Sequence, residues 1–376
     1  MWTCCQLGAR EHYAVPRALH GYGMLSELIT DLWIPRVTGR FHPDLATATV
    51  SAPNIAALTF ELKASFAREN GWKLIARRNE WFQERVVDML RRNHNGSRKQ
   101  TIFAYSYAAE QIFRFARERG WRTVLGQIDP GPADSSRLHE TTEDTPAPEA
   151  YWDSWRTECA LADHIVVNSN WSRETLLEAG VEAEKIRVIP LAYEAADQEF
   201  ERQYLRTFSA ERPLRVLFLG VISLRKGVGQ LLDAARLLTG EVVEFWFVGP
   251  IQIHVSDELR RHPQIKWFGA APRAAVERYY RGADVFILPT LSDGFGLTQL
   301  EAQSWKLPVV ASRYCGEVVS DGVNGVVLEE VSARGIADVL LGFLRSPETL
   351  KAMSMRSGVD DRFSLQALAS ALRDLG

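Results

Sequence analysis

The chain has 376 residues, too many for one ordinary core and the length of two domains of about 150–200 residues. Its composition, 46% hydrophobic and 24% charged, is that of a globular chain, and a net charge of −3 gives no sign of nucleic-acid binding. No apolar run approaches the ~20 residues of a membrane span, and Met1 to Arg10 lacks the basic-then-apolar pattern of a secretory leader, so none is expected. The four cysteines, Cys4, Cys5, Cys159 and Cys315, have neither zinc-knuckle nor CxxC spacing and read as reduced thiols of a cytoplasmic protein.

In chain order, strands are expected at Trp2–Gln6, Leu28–Ile34, Thr101–Tyr105, Thr123–Ile128, His164–Asn168 and Ile186–Ile189. Helices fit between them at Tyr13–Leu19, Ile55–Glu69, Trp81–Arg92, Ala108–Glu118, Trp152–Leu161 and Ser172–Ala179. Ser172, Glu174 and Thr175 resemble a helix N-terminal signal. Asp129 to Ala150, rich in Pro, Asp, Ser and Thr, reads as a long loop, and Leu191 to Pro213 as a hinge. Beyond it the alternation sharpens. Strands are expected at Leu214–Leu219, Val242–Val248, Ile265–Phe268, Asp284–Leu288, Pro308–Ala311 and Gly325–Leu328, with helices at Val228–Leu238, about Arg273–Arg281 and about Gly296–Trp305. Strands alternating with helices indicate parallel βαβ units, and near-continuous apolar strands indicate sheets covered on both faces. The expectation is two Rossmann-like α/β domains facing across a cleft. An N-terminal domain takes residues 1–200, with a C-terminal helix at about 360–376 packed back on it, and a second domain takes residues 213–355.

Ligands of open α/β sheets bind beyond the carboxyl ends of strands, so the residues just after strands are the candidates. Pro289 to Glu301 follows a buried strand and opens a helix. Gly294 and Gly296 permit a tight turn and a close backbone approach, and the helix start offers free N–H groups to a diphosphate. Asp293 and Glu301, eight residues apart, are placed to meet sugar and ribose hydroxyls. Spacing alone equally allows a generic turn with two solvated acids. The loop from Gly220 to Gly227 also links a strand to a helix, and Arg225 and Lys226 are suited to offset the charge of a leaving diphosphate. It lacks the P-loop pattern, and alone it equally reads as an ordinary basic loop.

Taken together, these loops resemble the nucleotide-binding half of retaining glycosyltransferases of the GT-B fold, glycosyltransferase family four ("group 1"). The resemblance covers about residues 155–345. It rests on the Gly220 to Gly227 loop, Gly249-Pro250, the strand Ala283 to Pro289, the Asp293 and Glu301 pair, Pro308 to Ala311, and Asp321 to Gly325. Ala162 to Ser169 and Lys185 to Pro190 also match the family's pattern. The resemblance implies that Lys226 binds the donor diphosphate, Glu301 holds the ribose and Asp293 contacts the transferred sugar. Backbone amides and side chains from Gly220 and from Gly294, Phe295, Gly296, Leu297 and Thr298 would then enclose phosphates and sugar. Four positions depart from the family. Asp293 replaces the usual Glu, drawing the carboxylate back by one C–C bond, ~1.5 Å. Val221 stands where Arg is frequent, with Arg225 nearby. Lys306-Leu307 precedes Pro308 where Gly is frequent, and Ile128-Asp129 replaces a His-Asp pair.

The acceptor side is expected from Gly8, Arg10, Glu11, His12 and Tyr13 after the first strand, and from Asp129, with Tyr105 to Tyr107 and Gln127 beside it. Each of these is, taken alone, equally a packing or surface residue. Eight of the eleven tryptophans precede residue 200 and read mainly as core, although aromatic faces also stack on sugars. Arg77, Arg78, Arg85, Arg91, Arg92, Arg98 and Lys99 form a basic stretch, either a solvated helix face or a contact with an anionic membrane.

The expected activity is transfer of a sugar, with retained configuration, from a nucleotide-diphosphate sugar to a hydroxyl of a glycan, lipid-linked or small-molecule acceptor. No cofactor and no metal are expected. The expected place is the cytoplasm, peripherally at the inner membrane face, in glycan, exopolysaccharide or glycolipid synthesis. The alternatives are a nucleotide-sugar epimerase or hydrolase on the same fold, or an inactive nucleotide-sugar-binding partner subunit.

Overall fold

The structure, a computed structural model, describes residues 1–35, 37, 40–66, 70–93, 99–132, 146–195 and 200–376. The N-terminal half runs β1 (Trp2–Gln6), α1 (Ala14–Gly21), β2 (Leu25–Thr30), β3 (Val50–Ser51), α2 (Asn54–Phe66), α3 (Gly71–Asn93), β4 (Thr101–Tyr105), α4 (Glu110–Arg117), β5 (Arg122–Gly126), α5 (Glu149–Leu161), β6 (His164–Val167), α6 (Asn170–Glu178) and β7 (Ile186–Val188). Its strands form one parallel sheet in the order β3-β2-β1-β4-β5-β6-β7. The second half runs β8 (Leu214–Leu219), α7 (Val228–Leu237), β9 (Val243–Val248), α8 (Asp257–Arg260), β10 (Ile265–Gly269), α9 (Glu277–Gly282), β11 (Val285–Leu288), α10 (Thr298–Ser304), β12 (Val309–Ser312), β13 (Gly325–Leu328), α11 (Ala333–Arg345), α12 (Pro347–Arg356) and α13 (Leu365–Arg373). Its sheet, also parallel, has the order β10-β9-β8-β11-β12-β13.

Successive strand residues feed different cores. In β11, Val285 and Ile287 enter one cluster and Phe286 and Leu288 another. In β4, Ile102 and Ala104 face one way and Phe103 and Tyr105 the other. Period-two side chains that are apolar on both faces require cover on both faces, which is why these strands read as unbroken apolar runs. The chain reverses direction across each sheet between β1 and β4 and between β8 and β11, and the carboxyl ends at those reversals are where ligands of such sheets bind.

The linker lies on the second domain. Arg202 donates to the carbonyls of Tyr280 and Trp305 (2.7 and 2.9 Å), and Arg212 grips buried Asp284 with two bonds of 2.7 Å. After α12 the chain returns to the first domain. Leu368 and Leu372 of α13 share a core with Val15 and Leu19 of α1, and Arg122 donates to the Leu375 carbonyl at 3.0 Å.

Several boundaries differ from the sequence expectation, each for a local reason. β2 ends at Thr30, not Ile34, because the Asp31 carboxylate turns back to accept the Gly8 amide at 2.9 Å. β3 has only two residues, too short to signal. α3 begins at Gly71, not Trp81; its first turns hold charged residues that lean on α2, with Arg78 bonded to Glu61 at 2.8 Å. α6 is capped by Ser169, whose hydroxyl accepts the Ser172 amide at 3.1 Å, so the Ser172 signal lies inside the helix. α10 begins at Thr298 rather than Gly296, and Arg273 to Ala275 is a separate 3-10 turn before α9. Glu69 and Arg98 fall outside the described residues, as do 133–145 of the long loop.

Candidate functional site

Between the two domains lies a cavity of about 400 Å³. The second domain supplies the Gly220 to Lys226 loop after β8 and the Asp293 to Thr298 segment after β11. The first supplies Arg10, Glu11, Ile128, Asn168 and, at the linker, Leu191.

The two loops of the second domain are stitched together. The Arg225 carbonyl accepts from the Leu291 amide (2.9 Å) and the Thr290 hydroxyl (3.1 Å). Gly227 turns with φ +71° against Pro289, where an added Cβ would stand 1.7 Å from the Pro289 oxygen, so only glycine fits. This contact brings Lys226 onto Asp293, with which it forms an ion pair. Burial alone would raise the Asp293 pKa, but Lys226 and then Arg225 outweigh it and hold the carboxyl below its usual range. Asp293 is also fixed from behind, its amide donating to the Tyr314 carbonyl at 2.9 Å. The Gly296 and Leu297 amides donate to no acceptor among the described residues, and both residues line the cavity. The site thus offers two cations, a pinned carboxylate and backbone donors within one pocket.

The first domain closes onto this segment. A Cβ on Gly294 would lie 2.8 Å from the Ile128 carbonyl oxygen. Trp171 Nε1 donates to the Ser292 hydroxyl at 2.9 Å, the Asn170 amide donates to Glu317 at 2.9 Å, and the Ser172 hydroxyl reaches the Gly294 carbonyl at 3.4 Å. Sequence reasoning passed over Trp171, Ser172 and Tyr314 as site-building residues. The available signal was the Asn168-Ser169 pair at a strand end, in a position to cap a helix.

Residues 213–346 match the family described as "Glycosyl transferases group 1". That stretch of the second domain is therefore similar to a group 1 glycosyltransferase domain. The amylovoran biosynthesis glycosyltransferase AmsK of Erwinia amylovora is 29% identical over 194 residues, 47% of this chain and 46% of that protein. The D-inositol 3-phosphate glycosyltransferase of Thermobifida fusca is 26% identical over 267 residues, 61% of this chain and 59% of that protein. The chain spans about half the length of the curated relatives it matches. Among solved structures, Anabaena HepE in complex with UDP superimposes with a TM-score of 0.65 at 16% identity, over 99% of this chain and 98% of that one. Sucrose-phosphate synthase from Thermosynechococcus elongatus gives 0.66 at 16% identity, over 100% and 97%. The two parallel-sheet domains have the GT-B fold expected from the sequence.

Within the second domain, Gly220, Val221, Arg225, Lys226, Asp293, Phe295, Gly296, Leu297 and Thr298 line the cavity. Gly294 sits beside it, under Ile128. Glu301 is in the first turn of α10, since the helix starts two residues later than expected. It lies outside the lining of this cavity, and its Oε2 accepts from the Tyr280 hydroxyl at 2.7 Å.

The residues expected on the acceptor side separate. Glu11 lines the cavity and accepts from the Tyr105 hydroxyl at 3.2 Å, while Arg10 lies over the Tyr105 ring. Burial pushes the Glu11 carboxyl up to about 7, against the lowering effects of Tyr105 and Arg10. His12 is turned away to receive the Arg273 guanidinium across the domain boundary. Tyr13 departs from expectation: it is 1% exposed and packs edge-on against Trp33, a core residue rather than a ligand. Gly8 serves the loop through Asp31. Asp129 faces inward, accepting from the Tyr107 hydroxyl (2.6 Å) and the Gly131 amide (2.9 Å), which fixes Ile128 in the cavity wall. Glu11, His12 and Tyr13 all have positive φ (50°, 52° and 61°), a strained run that costs on the order of 1–3 kcal/mol per residue. Buried Gln6 braces it, donating to the carbonyls of Gly8 and Arg10 at 3.0 Å each.

Of the basic stretch, Arg77 lies over Phe60, Arg78 pairs with Glu61, Arg85 approaches Glu84 and Asp88, and Arg91 approaches Asp88. Most of these cations are therefore engaged on the helix surface. Five tryptophans, Trp2, Trp121, Trp155, Trp171 and Trp305, are buried, and all four cysteines are buried and free.

Proposed function

We propose that the chain transfers a glycosyl group, with retention, from a nucleoside diphosphate sugar to an acceptor hydroxyl. The observation that carries this reading is the cavity itself, which Lys226, Arg225, Gly296 and Leu297 line together with Asp293. As the bond from the anomeric carbon to the phosphate oxygen breaks, negative charge grows on the diphosphate. Fixed cations and backbone donors stabilise it more in that state than in the ground state. The acceptor oxygen bonds to the anomeric carbon, and its proton passes to the departing phosphate oxygen. Asp293 orients the sugar hydroxyls, and Glu301 holds the ribose with the oxygen that Tyr280 does not engage. Glu11 accepts a hydrogen bond from the acceptor hydroxyl. The diphosphate charge is met by side chains and amides, so turnover is expected without a metal.

The reading places the protein in synthesis of a polysaccharide or glycolipid, in the cytoplasm, with an acceptor that is a glycan, a lipid-linked sugar or a small hydroxylated molecule. The buried free thiols fit a reducing compartment. The test is incubation with UDP-, GDP- and dTDP-sugars, with and without acceptor, following nucleotide release and the anomeric configuration of the product by NMR. Acceptor-dependent release with a retained anomer is expected. Equal turnover without acceptor, or no turnover of any donor, would overturn the reading.

A further inference from the structure

Helix α4 starts at a residue that cannot cap it. Its N-cap is Ala109, whose side chain has no acceptor for the free amides of the first turn. The acceptor comes from α5 instead. Buried Glu158 takes the Ala109 and Glu110 amides on Oε1, at 2.7 and 3.3 Å. Its other oxygen, Oε2, takes the Tyr107 amide at 2.7 Å, ahead of the helix. Capping accounts for the first oxygen and not for the second. A buried carboxyl is costly unless its oxygens are bonded, and here the two oxygens together span the loop from Tyr107 to Glu110.

The bond to Tyr107 fixes a residue with φ +73°, a backbone state that tyrosine keeps only when its surroundings hold it. So held, its ring stacks on Tyr151 of α5 at 4.6 Å and its hydroxyl donates to Asp129 at 2.6 Å. Asp129 Oδ1 also accepts from Gln127 Nε2 at 3.1 Å, and Gln127 Oε1 accepts from Trp155 Nε1 at 2.9 Å. Trp155 is buried on α5, three residues before Glu158 and on the same side of the helix. The bonds thus close a ring. It runs from α5 to the loop after β4, on to the loop after β5, and back to α5.

Ile128 lies between two members of that ring, Gln127 and Asp129. A Cβ on Gly294 would come within 2.8 Å of its carbonyl oxygen. Ile128 lines the domain cavity and also a slot of about 80 Å³, whose walls include Ser106, Tyr107, Ala108 and Arg10. Arg10, like Ile128, belongs to both spaces. The ring of bonds therefore sets the stretch of the first domain's wall where slot and cavity meet, while Glu158 itself lines neither.

We infer that Glu158 is a positioning residue for the acceptor: through Tyr107 and Asp129 it holds Ile128 and the slot beside Arg10 in the shape that the acceptor meets. The acceptor role rests on the glycosyltransferase reading; the coupling of the two loops does not. Two variants of the full chain test it. Glu158→Gln sets an NH2 group against the backbone donors of one oxygen, and Tyr107→Phe removes only the hydroxyl link. In hydrogen exchange followed by mass spectrometry, Glu158→Gln should speed exchange in both segments, 107–110 and 127–131, and Tyr107→Phe in 127–131 alone. With donor saturating, each should raise KM for acceptor about tenfold, the worth of one buried hydrogen bond, and leave kcat and donor affinity within about twofold. The two together should raise KM no further than Glu158→Gln alone, because both act on one path. Tyr107→Phe keeps Glu158 and its amide bonds, so it carries the test if Glu158→Gln does not fold. Faster exchange confined to 107–110 in Glu158→Gln, or unchanged exchange at 127–131 in Tyr107→Phe, would reduce Glu158 to a helix cap and overturn the inference. So would an unchanged KM for acceptor, or a fall in kcat with KM unmoved. If no donor turned over, the glycosyltransferase reading and the acceptor role would fall together, while the exchange result would still decide whether Glu158 joins the two loops.

Discussion

If Glu11 receives the acceptor hydroxyl as proposed, acceptor use should depend on pH, in the direction that its burial sets. Burial raises its carboxyl to about 7 from an ordinary 4.5, with Tyr105 and Arg10 opposing the shift. A hydroxyl hydrogen-bonds to the carboxylate better than to the acid, so the ionised form is the productive one. With a pKa near 7, the ionised fraction rises about tenfold between pH 6 and pH 8, and kcat/KM for acceptor should rise with it. The other cavity acid does not confuse this limb, because Asp293 is held below the usual carboxylate range by Lys226 and Arg225. Glu11→Gln keeps the shape and removes the titration. It should flatten the limb and lower the high-pH value by about 1.5–3 kcal/mol, the worth of a charged hydrogen bond, while donor affinity stays unchanged. Stability carries the same signature with its own sign. A folded-state pKa raised from 4.5 to about 7 means that stability is full below the unfolded value and is lost as pH rises through the folded one. The loss is at most about 3 kcal/mol, and it should be absent in Glu11→Gln. The assays are initial rates against acceptor at a series of pH values, and thermal unfolding at the same values. A limb near pH 7 that survives in Glu11→Gln would refute the reasoning.

Four further outcomes follow from the geometry. Lys226→Ala should lower kcat for nucleotide release by about 100- to 1,000-fold, as loss of one group that stabilises charge in the transition state does; an undiminished kcat would remove Lys226 from the leaving-group role. Glu301→Ala should weaken donor binding about 10- to 100-fold by calorimetry, and an unchanged affinity would remove it from the ribose. Gly227→Ala forces a Cβ to within 1.7 Å of the Pro289 carbonyl oxygen and should cost at least about 2 kcal/mol in a denaturant titration. Trp171→Phe keeps the ring but leaves the buried Ser292 hydroxyl without its 2.9 Å donor, so donor affinity should fall with a stability loss of about 1–3 kcal/mol.

The fold was legible because both sheets are parallel and covered on both faces. β8, β9, β11 and β12 carry apolar residues at successive positions, and glycine or proline stops β8, β9 and β11 just where the chain leaves the sheet, at Gly220, Gly249 and Pro289. The short or half-covered elements were not legible. β3 is two residues long, and its existence depends on pairing with Leu28 and Ile29, which no local pattern encodes. The first turns of α3 are similar: Arg77 and Arg78 give no apolar period, and their helical state depends on Phe60 and Glu61 of α2.

The site divides by the same logic. On the second domain the groups that line the cavity are set by short-range sequence: glycines where the backbone must turn, cations one loop away, and an acid at the strand end. Lys226, Asp293 and Gly296 were therefore visible together. On the first domain, position depends on backbone states that residue type does not announce. Glu11, His12 and Tyr13 adopt positive φ although none is glycine, so neighbours in sequence end up in three different places: Glu11 in the cavity, His12 against Arg273 and Tyr13 in the core. Read as an ordinary turn, the run offers all three to the cleft. Only the Gln6 brace and the Asp31 anchor decide which one arrives, and both act through bonds to backbone groups. The second domain's wall of the cavity can thus be read from the local order of residues, whereas the first domain's wall follows from strain held in place by buried amides and carboxylates.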